Sequence, residues 1–158
     1  MRRADMRPLA TIGYQGATPD SFRRALQDAR IELLVDIRAV ASSRRPGFSK
    51  TKLAASLADA GIDYVHLRAL GTPADGRAAA RAGHHDEMRK IFLVHMRTAE
   101  AQDALADLVE LVRSGRRVSL LCFEADPAHC HRSIVASMVR EKIPVEIMHL
   151  IPDAELED

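Results

Sequence analysis

The chain has 158 residues, the length of one folding unit, and its 47% apolar and 28% charged residues can close a hydrophobic core, which excludes a disordered, collagenous or low-complexity protein. Lys and Arg number 23 against 22 Asp and Glu, so the net charge of +1 gives no global field toward nucleic acid or an anionic membrane, and any basic site must be local. No apolar run approaches the roughly 20 residues of a membrane span, and none of signal-peptide length follows the charged Met1 to Arg7, so a soluble, cytoplasmic protein is expected.

Leu9 to Tyr14 reads as a first strand entering the tight loop Gly13-Tyr14-Gln15-Gly16. Thr18-Pro19 then supplies an N-cap and a first-position proline for a helix carrying Phe22, Ala25, Leu26 and Ala29. Ile31 to Ile37 is a second buried strand, which completes a βαβ unit with a right-handed crossover. Ala41 to Ser49 reads as a loop, and Ser49 caps a helix with Leu53, Leu57 and Ala60 that Gly61 stops. Ile62 to Leu67 is the third strand. Gly71 to Gly83, rich in Gly, Ala and Arg without a clear period, is a mobile loop or a marginal helix, and a lid is the preferred reading. Helices at Asp86 to Met96 and Thr98 to Ser114 form one long crossover. Val118 to Phe123 is the most apolar strand, Asp126-Pro127 opens another helix, and Val145 to Leu150 is a fifth strand. This alternation predicts an α/β fold: an open, mainly parallel five-stranded sheet with helices on both faces, a Rossmann-like three-layer sandwich. One domain is expected over residues 1–158, with its core at about 9–150 and short flexible termini.

In such a sheet ligands collect outside the carboxyl ends of the strands. Those ends carry Gly13, Tyr14 and Gln15, then Asp36 and Arg38, then His66 and Arg68, then Cys122 and Glu124, a polar set that a binding site requires and a sheet core does not. Arg38 follows Asp36 by two residues, so both side chains lie on one side of an extended segment and can pair, fixing a guanidinium for a ligand. Arg44 and Arg45 follow, either as donors to an anion or as solvated loop charges.

The segment from Cys122 to Arg132 is the most informative. With Asp126 as N-cap, Cys130 falls in the first helical turn, where unpaired N–H groups stabilise a thiolate beside His129, His131 and Arg132, while Asp126 and Glu124 oppose this. Cys130 is thus a candidate nucleophile, with His131 as acid or base and Glu124 and Cys122 as further catalytic candidates. Both cysteines are expected as thiols, and packing as small hydrophobes is the alternative, most of all for Cys122. His129, His131, Glu124 and the two thiols offer metal donors, but the short Cys-x-x-Cys pair is missing, so no metal or cofactor is assigned. A cysteine phosphatase would need an arginine six positions after its nucleophile, where this chain has Ala128 or Ala136. The nucleotide triphosphatase, zincin and Gly-x-Ser-x-Gly motifs are absent too.

Thr11-Ile12-Gly13-Tyr14, Leu34-Val35-Asp36-Ile37-Arg38, Ser43-Arg44-Arg45-Pro46-Gly47-Phe48-Ser49, Tyr64-Val65-His66-Leu67 with Leu70-Gly71, and Leu121-Cys122-Phe123-Glu124 with Cys130-His131-Arg132 resemble, in order, the motifs of the domain of unknown function 488 family of bacteria and archaea. The resemblance runs from about Thr11 to Leu150 and implies a shared polar site of Gly13, Asp36, Arg38, His66, Cys122, Glu124, Cys130, His131 and Arg132. Tyr14-Gln15 departs from it, since many members carry His-Ser there. It implies no reaction. Three functions therefore stand open: an enzyme acting on an anionic substrate, phosphate-containing, nucleotide-like or derived from nucleic acid; a non-catalytic module binding nucleic acid or a nucleotide through Arg38, Arg44, Arg45, Arg77 and Arg81; and a metal-binding or thiol redox protein.

Overall fold

Five strands, Leu9–Gly13 (β1), Leu33–Asp36 (β2), Asp63–His66 (β3), Val118–Cys122 (β4) and Ile147–Leu150 (β5), form one sheet in the order β3-β2-β4-β1-β5. Every pairing is parallel, with Gly13 opposite Cys122 and Asp36 opposite Leu121. The computed structural model describes residues 7–153, so the expectation of flexible termini falls largely outside the described residues. β1, β2 and β4 are buried along their whole length, as their aliphatic content requires of strands covered on both faces.

Helices Pro19–Asp28 (α1) and Lys50–Asp59 (α2) cover one face, where Phe22, Leu26, Leu53 and Leu57 cluster with Ala10, Ile12 and Leu34. Ala74–Arg81 (α3), His85–His95 (α4), Ala99–Arg113 (α5) and His131–Lys142 (α6) cover the other, where Phe92, Leu105, Leu108 and Val135 cluster with Leu33, Val35 and Leu120. The expected cap of α1 is a full capping box: Thr18 Oγ1 accepts from the Ser21 N–H at 3.0 Å, and Ser21 Oγ accepts from the Thr18 N–H at 3.0 Å.

Two segments differ from the sequence reading. Gly71 to Gly83 contains the helix α3 instead of a mobile lid, with Gly76 and Ala79 buried. A Cβ on Gly76 would lie 2.5 Å from Thr72 Cγ2 and 3.2 Å from Ile91 Cγ2, so the face that packs on α4 is made of small residues and leaves no apolar period to read. The helix expected from Asp126-Pro127 is a single 3₁₀ turn over Pro127–His129, and α6 starts only at His131. Asp126 does accept from the Ala128 N–H at 2.9 Å, but Cys130 is extended, at φ −127° and ψ 146°, and breaks the turn from the helix. Cys130 is therefore the N-cap of α6 and not part of its first turn.

The strand order fixes where a ligand can bind. From β2 the chain runs outward to β3, and from β4 it runs the opposite way to β5, so the crevice between diverging connections opens at the carboxyl ends of β2 and β4. Among the described residues no helix is long and apolar enough to cross a membrane.

Candidate functional site

A cleft of about 580 Å³ lies over this crevice. Arg44 and Arg45, from the loop after β2, and Arg77 and Arg81, from α3, line it together with the more deeply buried Tyr14, Arg38, Cys122 and His131. Arg77 donates to the Thr72 carbonyl at 2.8 Å and Arg45 to the Ala17 carbonyl, which anchors both side chains at the cleft.

Asp36 and Arg38 form the pair that their spacing predicts. Arg38 Nε donates to Asp36 Oδ1 at 2.9 Å and Nη2 to Oδ2 at 2.7 Å, with Asp36 fully buried and Arg38 6% exposed. Burial disfavours the Arg38 charge, but the Asp36 carboxylate more than offsets this and holds its pKa above the ordinary arginine value. Arg38 Nη1 donates to the Phe48 carbonyl at 2.7 Å and to the Tyr14 hydroxyl at 3.3 Å, which ties the loop carrying Arg44 and Arg45 to the sheet. Tyr64 donates its hydroxyl to Asp36, and burial followed by that carboxylate raises its pKa, so it stays a donor.

The second cluster joins β4 to α6. Cys122 and Cys130 form a disulfide, contrary to the expectation of two thiols. Arg132, with no exposed surface, places Nη1 3.1 Å from Cys122 Sγ and gives the same nitrogen to the Glu124 carbonyl at 2.5 Å. Its Nε donates to Thr11 Oγ1 at 3.1 Å and its Nη2 to the Ala125 carbonyl at 3.1 Å. Burial pulls this guanidinium down to about 10 against the attraction of Glu124 and Asp126, and it stays charged at neutral pH. Thr11 Oγ1, which accepts from Arg132, also pairs with His149 Nδ1 at 2.6 Å and so links β5 to this cluster.

His131 Nε2 lies 2.8 Å from the Ile37 carbonyl, which can only accept, so that nitrogen carries the proton and the Nδ1 lone pair faces Cys130 Sγ at 3.7 Å. Burial lowers its pKa to about 4. Glu124 Oε2 stands 3.6 Å from Cys122 Sγ, and burial raises the Glu124 pKa against the pull of Arg132. The arrangement thus sets a sulfur pair against a guanidinium, an imidazole lone pair and a carboxyl group at the edge of an arginine-lined cleft.

Residues 18–139, most of the chain, match the family described as Domain of unknown function DUF488. The chain belongs to this family. No curated protein and no solved structure matches it. The matched span of this DUF488 protein contains both clusters except for Thr11, Gly13, Tyr14, Gln15 and His149.

Of the residues expected at the site, Tyr14, Arg38, Arg44, Arg45, Cys122, Glu124 and His131 line the cleft. Cys130, Asp36, His66 and Arg132 stand behind that lining and position it: His66 Nε2 donates to the Arg38 carbonyl at 2.6 Å. Gln15 reaches across to accept from the Ala125 N–H at 3.1 Å, bracing the loop after β4. Gly13 has a steric role, since a Cβ there would lie 2.6 Å from the Glu124 carbonyl carbon and 3.0 Å from Arg132 Nη1. Gly13→Ala is expected to cost about 1–3 kcal/mol in denaturant unfolding by pushing this loop away from β1. Thr11 and Tyr64 stand within the quoted motifs but are not among the residues expected at the site. Thr11 is hidden inside an apolar strand, whereas Tyr64, two residues before His66, sits on the same side of its strand and could have been found from that spacing.

Proposed function

We propose that this DUF488 protein is a thiol redox enzyme acting on a small anionic disulfide. The observation that carries this reading is the Cys122–Cys130 pair beneath a cleft walled by arginines. In the reduced enzyme the charged Arg132 guanidinium stabilises the Cys122 thiolate, which faces the cleft, while Cys130 waits behind it. The thiolate attacks one sulfur of the substrate, the substrate S–S bond breaks, and one thiolate leaves with a solvent proton. Cys130, beside the His131 Nδ1 lone pair, then attacks Cys122 Sγ, and its proton goes to the second departing thiolate. The substrate gains two electrons and two protons, and the pair closes as the disulfide. A low-molecular-weight thiol resets it by the reverse exchange.

The cleft volume falls in the range of small-molecule sites, which favours this over a nucleic-acid surface. Arg44, Arg77 and Arg81 would supply the charge preference. The test is stopped-flow reaction of the reduced protein with the dianionic 5,5′-dithiobis(2-nitrobenzoate) and with the dicationic cystamine, each normalised to a free thiol. The anionic disulfide is expected to gain about 10-fold, and the gain should fall as salt rises. Equal normalised rates would remove the anion preference, and failure of Cys122–Cys130 to re-form, read by mass spectrometry, would remove the redox reading.

A further inference from the structure

The same sulfurs have a second capacity once they are reduced. Cys122 Sγ, Cys130 Sγ and His131 Nδ1 are three buried ligand atoms that all lie within 4.8 Å of one another. We propose that the reduced protein binds one zinc-class divalent ion through these three atoms, with a fourth position open to the cleft. Thiolate and imidazole are the donors that select zinc, and three protein ligands with one open position are the arrangement of catalytic zinc sites.

Four observations converge on it. The Ile37 carbonyl holds His131 Nε2 at 2.8 Å, which is the outer contact that fixes the tautomer of a metal-binding histidine and turns its other nitrogen to the ion. Each sulfur is already met by an N–H group: Cys122 Sγ by Arg132 Nη1 at 3.1 Å and Cys130 Sγ by the Arg132 backbone N–H at 3.5 Å, an environment made for thiolates. The two cysteine Cα atoms stand 7.3 Å apart, wider than the roughly 4.4–6.8 Å usual across a disulfide. Two thiolates on one tetrahedral ion, with bonds of about 2.3 Å, hold their sulfurs about 3.8 Å apart, a separation this wider backbone spacing accommodates. Finally, Cys122, His131 and Glu124 all line the cleft, so a ligand in the fourth position would meet the Glu124 carboxyl group.

This site needs only that the pair can be reduced and does not depend on disulfide turnover. Ion and disulfide exclude each other, so an oxidant that closes the Cys122–Cys130 bond would release the ion.

The test is anaerobic titration of the reduced, chelator-stripped protein with Co²⁺ as a spectroscopic probe, followed by displacement with Zn²⁺. One equivalent is expected to raise the intense absorption of tetrahedral thiolate-bound cobalt, and zinc should abolish it and slow iodoacetamide alkylation of both cysteines at least 10-fold. Cys122→Ser and Cys130→Ser should each lose the charge-transfer absorption, with circular dichroism confirming their fold. If the unaltered protein gives only weak octahedral absorption with unprotected cysteines, or if the serine variants bind cobalt as it does, the proposal is overturned. Disulfide cycling is measured separately on metal-free protein, so the failure of one reading leaves the other standing.

Discussion

Replacing Cys122 by serine is expected to slow the reaction of the reduced protein with an anionic disulfide at least about 1000-fold, because a hydroxyl cannot supply the thiolate nucleophile at neutral pH. Cys130→Ser should behave differently. Its Cys122 still attacks, one thiolate leaves, and the mixed disulfide accumulates because nothing resolves it. Rapid-mixing absorbance reads the first step, and intact-protein mass spectrometry reads the trapped adduct. The asymmetry follows from placement and not from exposure, since both cysteines are buried: Cys122 lines the cleft, beside the Arg132 guanidinium, whereas Cys130 is not part of its lining. If Cys130→Ser were the unreactive variant and Cys122→Ser kept the fast step, the two roles would be exchanged.

That assignment reverses the weight the sequence places on Cys130. The Asp126-Pro127 signal is a genuine helix-start signal, and Asp126 does cap a turn, but one 3₁₀ turn satisfies it before the chain reaches Cys130. Capping chemistry is local, so it identifies that a turn begins and not how far it continues. The cysteine pairing is illegible for a related reason. Eight positions separate the two residues, and only the return of the loop after β4, pinned by Arg132 to the Glu124 and Ala125 carbonyls, brings the sulfurs together. By contrast, Asp36 and Arg38 are legible because a period of two in an extended segment is sufficient to place them together. The strands were legible from their aliphatic runs, but their order was not, since β2 and β4 are joined by registry between residues 85 positions apart, in a chain that carries no local mark of it. The helix α3 is only the second reading of its segment because packing there uses Gly76 and Ala79, residues whose value lies in what they leave out.

Asp36→Asn is expected to destabilise the fold by about 3–5 kcal/mol, among the largest losses any single polar replacement here should cause. The amide keeps the carboxylate's shape but removes its charge, leaving the Arg38 guanidinium buried beside a neutral partner. The Arg38 backbone N–H at 3.0 Å and the Tyr64 hydroxyl lose a charged acceptor as well. Replacing both partners, Asp36→Leu with Arg38→Met, should recover part of the loss, because no isolated charge then remains in the interior. Denaturant unfolding of the three proteins measures this, and a loss below about 1 kcal/mol for Asp36→Asn would show that Arg38 finds its compensation elsewhere. The effect should also reach the cleft. Arg38 Nη1 holds the Phe48 carbonyl, so slackening the pair frees the segment carrying Arg44 and Arg45, and limited proteolysis between residues 41 and 49 should quicken. One buried ion pair would in this way set both the stability of the sheet at its carboxyl edge and the position of Arg44 and Arg45 at the cleft.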